Sequence, residues 1–468
     1  MVSSSRHPIV RLKMLVETKM LRAISITIWR FRRELVLSLV ISMIAIPFAN
    51  YMVIERDRNR NEMYGEAFWI YGFQVYEMND HELAAALPPE WGYNDGLHVL
   101  PDYLGNITYE YPVFGLVFFS IATWLFPGQG GLQPMWLNFI LTLVFNLNLV
   151  LVAILLGDRI FKNQWARFFF AGYYVYGLIM SAGGGKLEPI VDCLLLMSMV
   201  LLQEKQYGKA MFALGLSVQT KIYSVVALPI MFLAAPVSII WFVVSMMLTV
   251  IPFLFLGADF SSLLNHFLNT STYSSYVVNP MYPGLFIASP IIENSTVIGS
   301  YPWPPALIPL LIYAAFMLST IRLYLPDSEA FRDASFFGKI NLLKPFYVYM
   351  LPAILFVFRW EMPWYLFWLG PAIFLFEKDE HKVGYLKELT IVGFLYAFGV
   401  IVNWPYLITG PLPDFFVHFP FGLYTFLGVI GLAALTGIAI GIWKWTIDRR
   451  RRRAIMLRDA KARGELVM

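Results

Sequence analysis

Lysine and arginine are missing from two long stretches of this 468-residue chain. None occurs from Asn61 to Asp158, and none from Gly257 to Trp303. Both stretches are rich in aromatics, Asn, Pro and acids, and both lie between long apolar runs. Basic residues crowd the ends instead, with Arg30, Arg32 and Arg33 before the first apolar run and Arg449 to Arg453 after the last. Cytoplasmic loops keep Lys and Arg, whereas translocated loops shed them. The pattern predicts a polytopic membrane protein with two large loops on its outer face, lumenal or extracytoplasmic.

Composition agrees. The chain is 58% hydrophobic, too apolar for an ordinary soluble globule. A helical span takes about 20 apolar residues, which leaves room for about 12 spans. The expected fold is therefore all-α: a transmembrane helical bundle with outer-face juxtamembrane helices. The net charge of +4 is split between basic tails and acidic outer loops. Basic tails beside a membrane set topology or touch anionic lipid, and nucleic acid is not an expected partner. The single cysteine, Cys193, excludes an intrachain disulfide and a cysteine-built zinc site. The first apolar stretch begins after residue 34 and reads as a signal anchor that stays in the protein.

Three regions follow. Residues 1–34 carry eight Lys/Arg and two acids. With Ile9, Leu12, Leu15, Ile24, Ile28 and Phe31 roughly on one face, they read as a cytoplasmic amphipathic helix. Residues 35–446 form the transmembrane domain, with outer loops 55–134 and 257–303, and 447–468 are a basic cytoplasmic tail. The first span is Leu35–Ile54. The stretch Pro112–Phe126 is short and followed by PGQGGLQP. If it crossed the membrane, Arg159, Lys162 and Arg167 would face outward, so it reads as a juxtamembrane or re-entrant helix. A tight hairpin of two true spans is the competing reading. Later spans run near 135–157, 166–182, 187–203, 209–222, 224–236, 237–257, 304–322, 345–358, 364–376, 389–408 and 421–445. The three Asn-X-Ser/Thr sequons, at Asn106, Asn269 and Asn294, all fall in the outer loops, where glycosylation would have to occur.

Charged residues at membrane depth default to functional hypotheses. Lys186 and Glu188 in GGGKLEP, Lys221 in QTKIYSV, and Arg359 and Glu361 in FRWEMPWYL sit at predicted outer helix ends, where topology disfavours Lys and Arg. Cations there suit a phosphate at headgroup level, and Arg359 can bond it bidentately. Carboxylates suit a base that deprotonates an acceptor hydroxyl. The plainer reading is that these groups pair with one another and hold helix ends together. In the first loop, Glu66 stands out among many acids that read as solvated charges. Tyr64, Phe68, Trp69 and Tyr71 surround it, which suggests an amphipathic helix lying on the membrane. Asp57 and Glu62 are the alternates. The histidines His81, His98, His266 and His418 lie in outer regions without metal-ligand spacing. Gly183-Gly184-Gly185 follows no strand, so it reads as a flexible or close-packed helix end rather than a phosphate loop.

Three segments in order carry a family resemblance. TYEYPVFGLVFF (Thr108–Phe119) is similar to the Tyr-x-Tyr-Pro segment that closes the first outer loop of GT-C superfamily glycosyltransferases. The block from Lys186 to Pro229 resembles their run from an acid, through two spans joined by a basic turn, to Lys-x-Tyr. FRWEMPWYLFWLGP (Phe358–Pro371) resembles their aromatic, Pro-x-Tyr-Leu segment. The match is best with polyprenol- or dolichol-phosphate-dependent mannosyltransferases. The chain has Val113 and Ser224 where the family has proline, and Glu66 where it more often has Asp.

The resemblance implies an inverting membrane hexosyltransferase whose donor is a polyprenyl- or dolichyl-phosphate sugar. The acceptor would be a glycan, lipid or protein on the extracytoplasmic face of the plasma membrane or endoplasmic reticulum. Glu66 would be the base, with Asp57 and Glu62 as alternates. Lys186, Lys221, Tyr223 and Arg359 would hold the donor phosphate and lipid. Glu110, Tyr111, Glu188, Glu361, Trp364 and Tyr365 would meet sugar and acceptor. The resemblance fixes no cofactor and leaves a divalent cation open. Two competing classes are a transporter or flippase of lipid-linked sugars, and a non-catalytic subunit of a membrane complex. The first calls for mid-span charges and repeated halves, and here the mid-span charges are few and no repeat is seen. The second would tolerate loss of Glu66, Lys221 and Arg359.

Overall fold

The computed structural model describes residues 21–47, 55–93, 108–109, 111–125, 134–157, 164–228, 231–232, 236–256 and 450. All but Arg450 belong to one compact unit, which includes Met1–Thr272. The described residues are mostly α-helical and contain no strand, only one antiparallel bridge between Asn79 and Thr108. The predicted spans from 304 onward, the loop 257–303, Glu110, Arg359, Glu361, Trp364, Tyr365 and the side chain of Asp57 lie outside the described residues.

The helices are α1 (Arg32–Ala45), α2 (Glu55–Tyr71), α3 (Asp80–Ala86), α4 (Val113–Leu125), α5 (Pro134–Leu156), α6 (Gln164–Leu178), α7 (Glu188–Gln203), α8 (Tyr207–Thr220) and α9 (Ile239–Leu256). Residues 21–30 are also helical and meet α1 at a turn on Phe31. Among the described residues, one helix is long and apolar enough to cross a membrane, within α5 (Trp136–Leu155). At 1.5 Å per residue, α4 is about 20 Å long, short of the roughly 30 Å of a hydrocarbon core. Helices α5, α7 and α9 fall on the predicted segments 135–157, 187–203 and 237–257. The segment 166–182 is α6 continued by a π-helix, Ile179–Gly183. The expected helix over 224–236 begins differently. Lys221 is extended (φ −157, ψ 133), and Ile222–Ala227 then forms a 3₁₀ helix.

Packing is inverted relative to a water-soluble helix. On α1 the buried residues are Ser38 and Ser42, while Val36, Leu37, Val40, Ile41 and Ile44 are exposed. Ser38 Oγ donates to Asn146 Oδ1 on α5 at 2.7 Å, and Asn146 Nδ2 donates to Ser42 Oγ at 3.4 Å. Helix α9 likewise exposes Ile240, Val244, Leu248, Ile251 and Phe255. Small polar residues at helix contacts and apolar residues outside are how helices pack in lipid.

The first loop builds its own core. Met63, Tyr64 and Ala67 of α2 bury against Val75, Tyr76, Leu83, Leu87, Tyr93, Tyr109, Val113 and Leu116. A capping box starts α3: Asn79 Oδ1 accepts from the Glu82 backbone N–H, and Glu82 Oε2 accepts from that of Asn79. Gly65 lets α2 lie directly on α4, because a Cβ there would sit 2.8 Å from the Phe119 backbone.

Candidate active site

Helix α2 has a polar sequence, ERDRNRNEMYGEAFWIY, yet Arg58 through Ala67 are buried. The reading of α2 as a helix lying on the membrane, with its acid at the headgroups, is therefore corrected. Among its described side chains, Arg58, Arg60, Glu62 and Glu66 are buried, and the exposed ones are Trp69 and Ile70 in the last turn. For Arg60 the burial is tolerable because its charge is paired. Arg60 Nε reaches Asp80 Oδ1 and Oδ2 at 2.9 and 2.7 Å, and its Nη2 donates to the Thr108 carbonyl at 3.3 Å. Tyr64 Oη also donates to Asp80 Oδ1, at 2.9 Å. Asp80, read from sequence as an ordinary solvated charge, is thus a buried counter-ion. The signal that marked this core was an exception to the charge rule: Arg56, Arg58 and Arg60 lie inside a loop that otherwise sheds arginine.

Two acids share one face of α2. Glu66 is buried, and its Oε2 accepts from Tyr93 Oη at 2.9 Å. Glu62 is buried one turn earlier, and its Oε2 has no hydrogen-bond partner. Burial pushes the Glu62 carboxyl up to about 8, helped by the nearby Glu66 charge and opposed by Arg58. Burial likewise raises the Tyr93 phenol, with Glu62 and Glu66 adding to it. This hydroxyl is therefore a donor, not a phenolate.

The basic helix ends lie against the same helix. The π-helix ends at Gly183, and the chain turns through Gly185 with φ +56. Here a Cβ would fall 2.6 Å from Cγ of Arg58, so only glycine admits the close approach. Asn61 Nδ2 donates to the Gly185 carbonyl at 3.1 Å. The glycine run is thus the close-packed helix end that its sequence suggested. The next residue, Lys186, is buried, and burial holds its amine well below the usual lysine range, with Lys221 adding repulsion and Glu188 opposing.

Glu188 opens α7, where Pro189 follows in the first turn. Its Oε1 accepts from Lys221 Nζ at 2.6 Å, and its Oε2 has no partner. The Lys221 ammonium also lies 5.4 Å from the centre of the Tyr111 ring. Tyr111 packs edge-on to Tyr109, and Tyr109 Oη donates to Asn61 Oδ1 at 3.4 Å. Lys186, Glu188, Lys221 and Tyr111 are therefore linked to α2 through its residues Arg58 and Asn61. Tyr223 is less available than expected, since its hydroxyl donates to Asp192 Oδ1 at 3.0 Å. Asp192, one turn after Glu188 on α7, was not singled out in the sequence.

The Gly185 turn gives a direct check on this packing. Gly185→Ala introduces both a left-handed strain and a collision with Arg58, so it should lower unfolding free energy by about 1–3 kcal/mol. Denaturant titration in detergent measures it, and an unchanged midpoint would contradict the contact.

No family model, no curated protein and no solved structure matches this chain.

Proposed function

We propose that the chain is an integral-membrane hexosyltransferase of the GT-C type. It moves a sugar from a polyprenyl or dolichyl phosphate to a glycan, lipid or protein acceptor on the outer face, with inversion. The observation that supports this reading is the seating of Gly185 on α2, which brings the turn before Lys186 onto the loop helix that bears Glu62 and Glu66. A phosphate-linked donor needs cations for its leaving group, and an acceptor hydroxyl needs a base. The polar helix contacts and exposed apolar faces of α1 and α9 support a multi-pass bundle. The about 12 spans, with both termini cytoplasmic, belong to the same proposal.

In this mechanism Glu66 accepts the proton of the acceptor hydroxyl as the oxygen attacks the anomeric carbon. The sugar–phosphate bond breaks, and its electron pair stays with the phosphate. Lys221 holds that phosphate by its charge, the buried Lys186 amine donates a hydrogen bond to it, and Glu188 presents its unpartnered Oε2 to a sugar hydroxyl. Because Lys221 is already paired with Glu188, the phosphate competes with a carboxylate for the ammonium. Lys221→Ala should therefore weaken donor binding by about tenfold or more, the scale of one charge-assisted hydrogen bond. Lys221→Arg should keep part of it. Donor affinity untouched by Lys221→Ala, measured with a polyprenyl-phosphate sugar on the reconstituted chain, would sink this assignment.

A further inference from the structure

Glu62 and Glu66 are four residues apart on α2, which puts them on the same helix face one turn apart. They are 1% and 5% exposed, so water does not screen them from one another. Their hydrogen bonding is unequal: the Tyr93 hydroxyl holds Glu66, and Glu62 Oε2 has nothing. Arg58, one turn before Glu62, donates from Nε and Nη2 to Asn59 Oδ1 at 3.3 and 3.1 Å.

Two charges act on Glu62: Glu66 opposes its ionisation and Arg58 favours it. Helices α4 and α5 have no titratable side chain. On α3, Asp80 is held by Arg60, Glu82 caps its own helix, and His81 is exposed. From the turn before α7 comes Lys186, already next to Glu188 and Lys221. Two buried carboxyls this close do not both ionise cheaply.

We propose that Glu62 and Glu66 work as a one-proton pair at neutral pH, with Glu62 carrying the proton as a positioning residue and Glu66, fixed by Tyr93, as the ionised base. The assignment rests on the glycosyltransferase reading. During transfer the acceptor O–H proton passes to Glu66 while the acceptor oxygen bonds to the anomeric carbon. The phosphate leaves with the electron pair of the broken bond. The pair then holds two protons and returns one to solvent before the next turnover. A neutral Glu62 removes a negative charge that would repel the anionic donor.

The rise of the Glu62 carboxyl to about 8 fits this division and fixes where it should fail. As pH climbs through that value Glu62 ionises, and the donor meets a second negative charge. The test is steady-state kinetics of the full chain in proteoliposomes, with a polyprenyl-phosphate hexose, on both sides of pH 8. Donor KM should rise on the alkaline side while kcat holds. Glu62→Gln, the isostere of the protonated acid, should abolish that rise and lower kcat by less than about tenfold. A lost base, by comparison, costs about 100- to 10,000-fold. Tyr93→Phe should lower kcat and leave the alkaline rise in place.

A second readout needs no substrate. In the difference spectrum between the parent and Glu62→Gln, which cancels the other buried acid Asp192, a protonated-carboxyl band should be present at neutral pH, titrate near 8 and shift in Glu62→Asp. If Glu62→Gln does not accumulate, Glu62→Asp decides. Turnover with no such band, or an alkaline KM rise that survives Glu62→Gln, overturns the pair. A band that behaves as described in a chain with no transferase activity upholds the pair and rejects the glycosyltransferase reading instead.

Discussion

Replacing Glu66 by Gln should lower turnover by about 100- to 10,000-fold, the usual cost of losing a positioned base. The amide keeps the shape of the carboxyl and can still accept from Tyr93, so donor binding and membrane insertion should survive. Inversion needs only one carboxylate to take the acceptor proton, and the phosphate leaves without an acid. The effect should therefore appear in kcat more than in donor KM. Near-normal turnover in Glu66→Gln, with loss in Glu62→Gln or Asp57→Asn, would move the base along α2. Survival of turnover in all three would remove the proposed mechanism.

The second large effect is structural. Asp80→Ala leaves the Arg60 guanidinium buried without the carboxylate that both its Nε contacts reach, and it takes an acceptor from Tyr64. Breaking a buried pair from one side typically costs about 3–5 kcal/mol. Arg60 also lies over the rings of Tyr64 and Tyr109, at 5.2 and 5.6 Å from their centres, so the aromatic core of the loop should loosen with it. Unfolding in detergent should show the loss. Replacing both partners together with apolar residues of similar size should recover much of it. A single variant within 1 kcal/mol of the parent would contradict the buried pairing.

The apolar helices were legible because their signal is local: α5, α7 and α9 are largely apolar runs bounded by turns. The meeting of Lys221 with Glu188 was half legible. Their placement at helix ends marked them, and the sequence allowed that they pair, but only the fold shows how closely. The interior of the first loop was not legible. Helix α2 is so polar that its composition argues for solvent, and its burial depends on partners distant in sequence, such as Asp80 and Thr108 for Arg60 and Gly185 for Asn61. No periodicity encodes those pairings. A break after α8 was expected, between spans 209–222 and 224–236, but the 3₁₀ helix that follows it was not. Residues 222–227 are as apolar as a helix interior, and the extended Lys221 that interrupts them follows from its contacts with Glu188 and Tyr111.

The central claim is sugar transfer from a lipid phosphate at the outer face, and one measurement meets it directly. The full chain in proteoliposomes is supplied on its outer side with radiolabelled polyprenyl-phosphate hexoses and with membrane lipid, glycan and protein fractions as acceptors. Label should move into one acceptor fraction with inverted anomeric configuration, and Glu66→Gln should stop it. Absence of transfer from every polyprenyl-phosphate hexose, by a chain that is folded and inserted, would contradict the account.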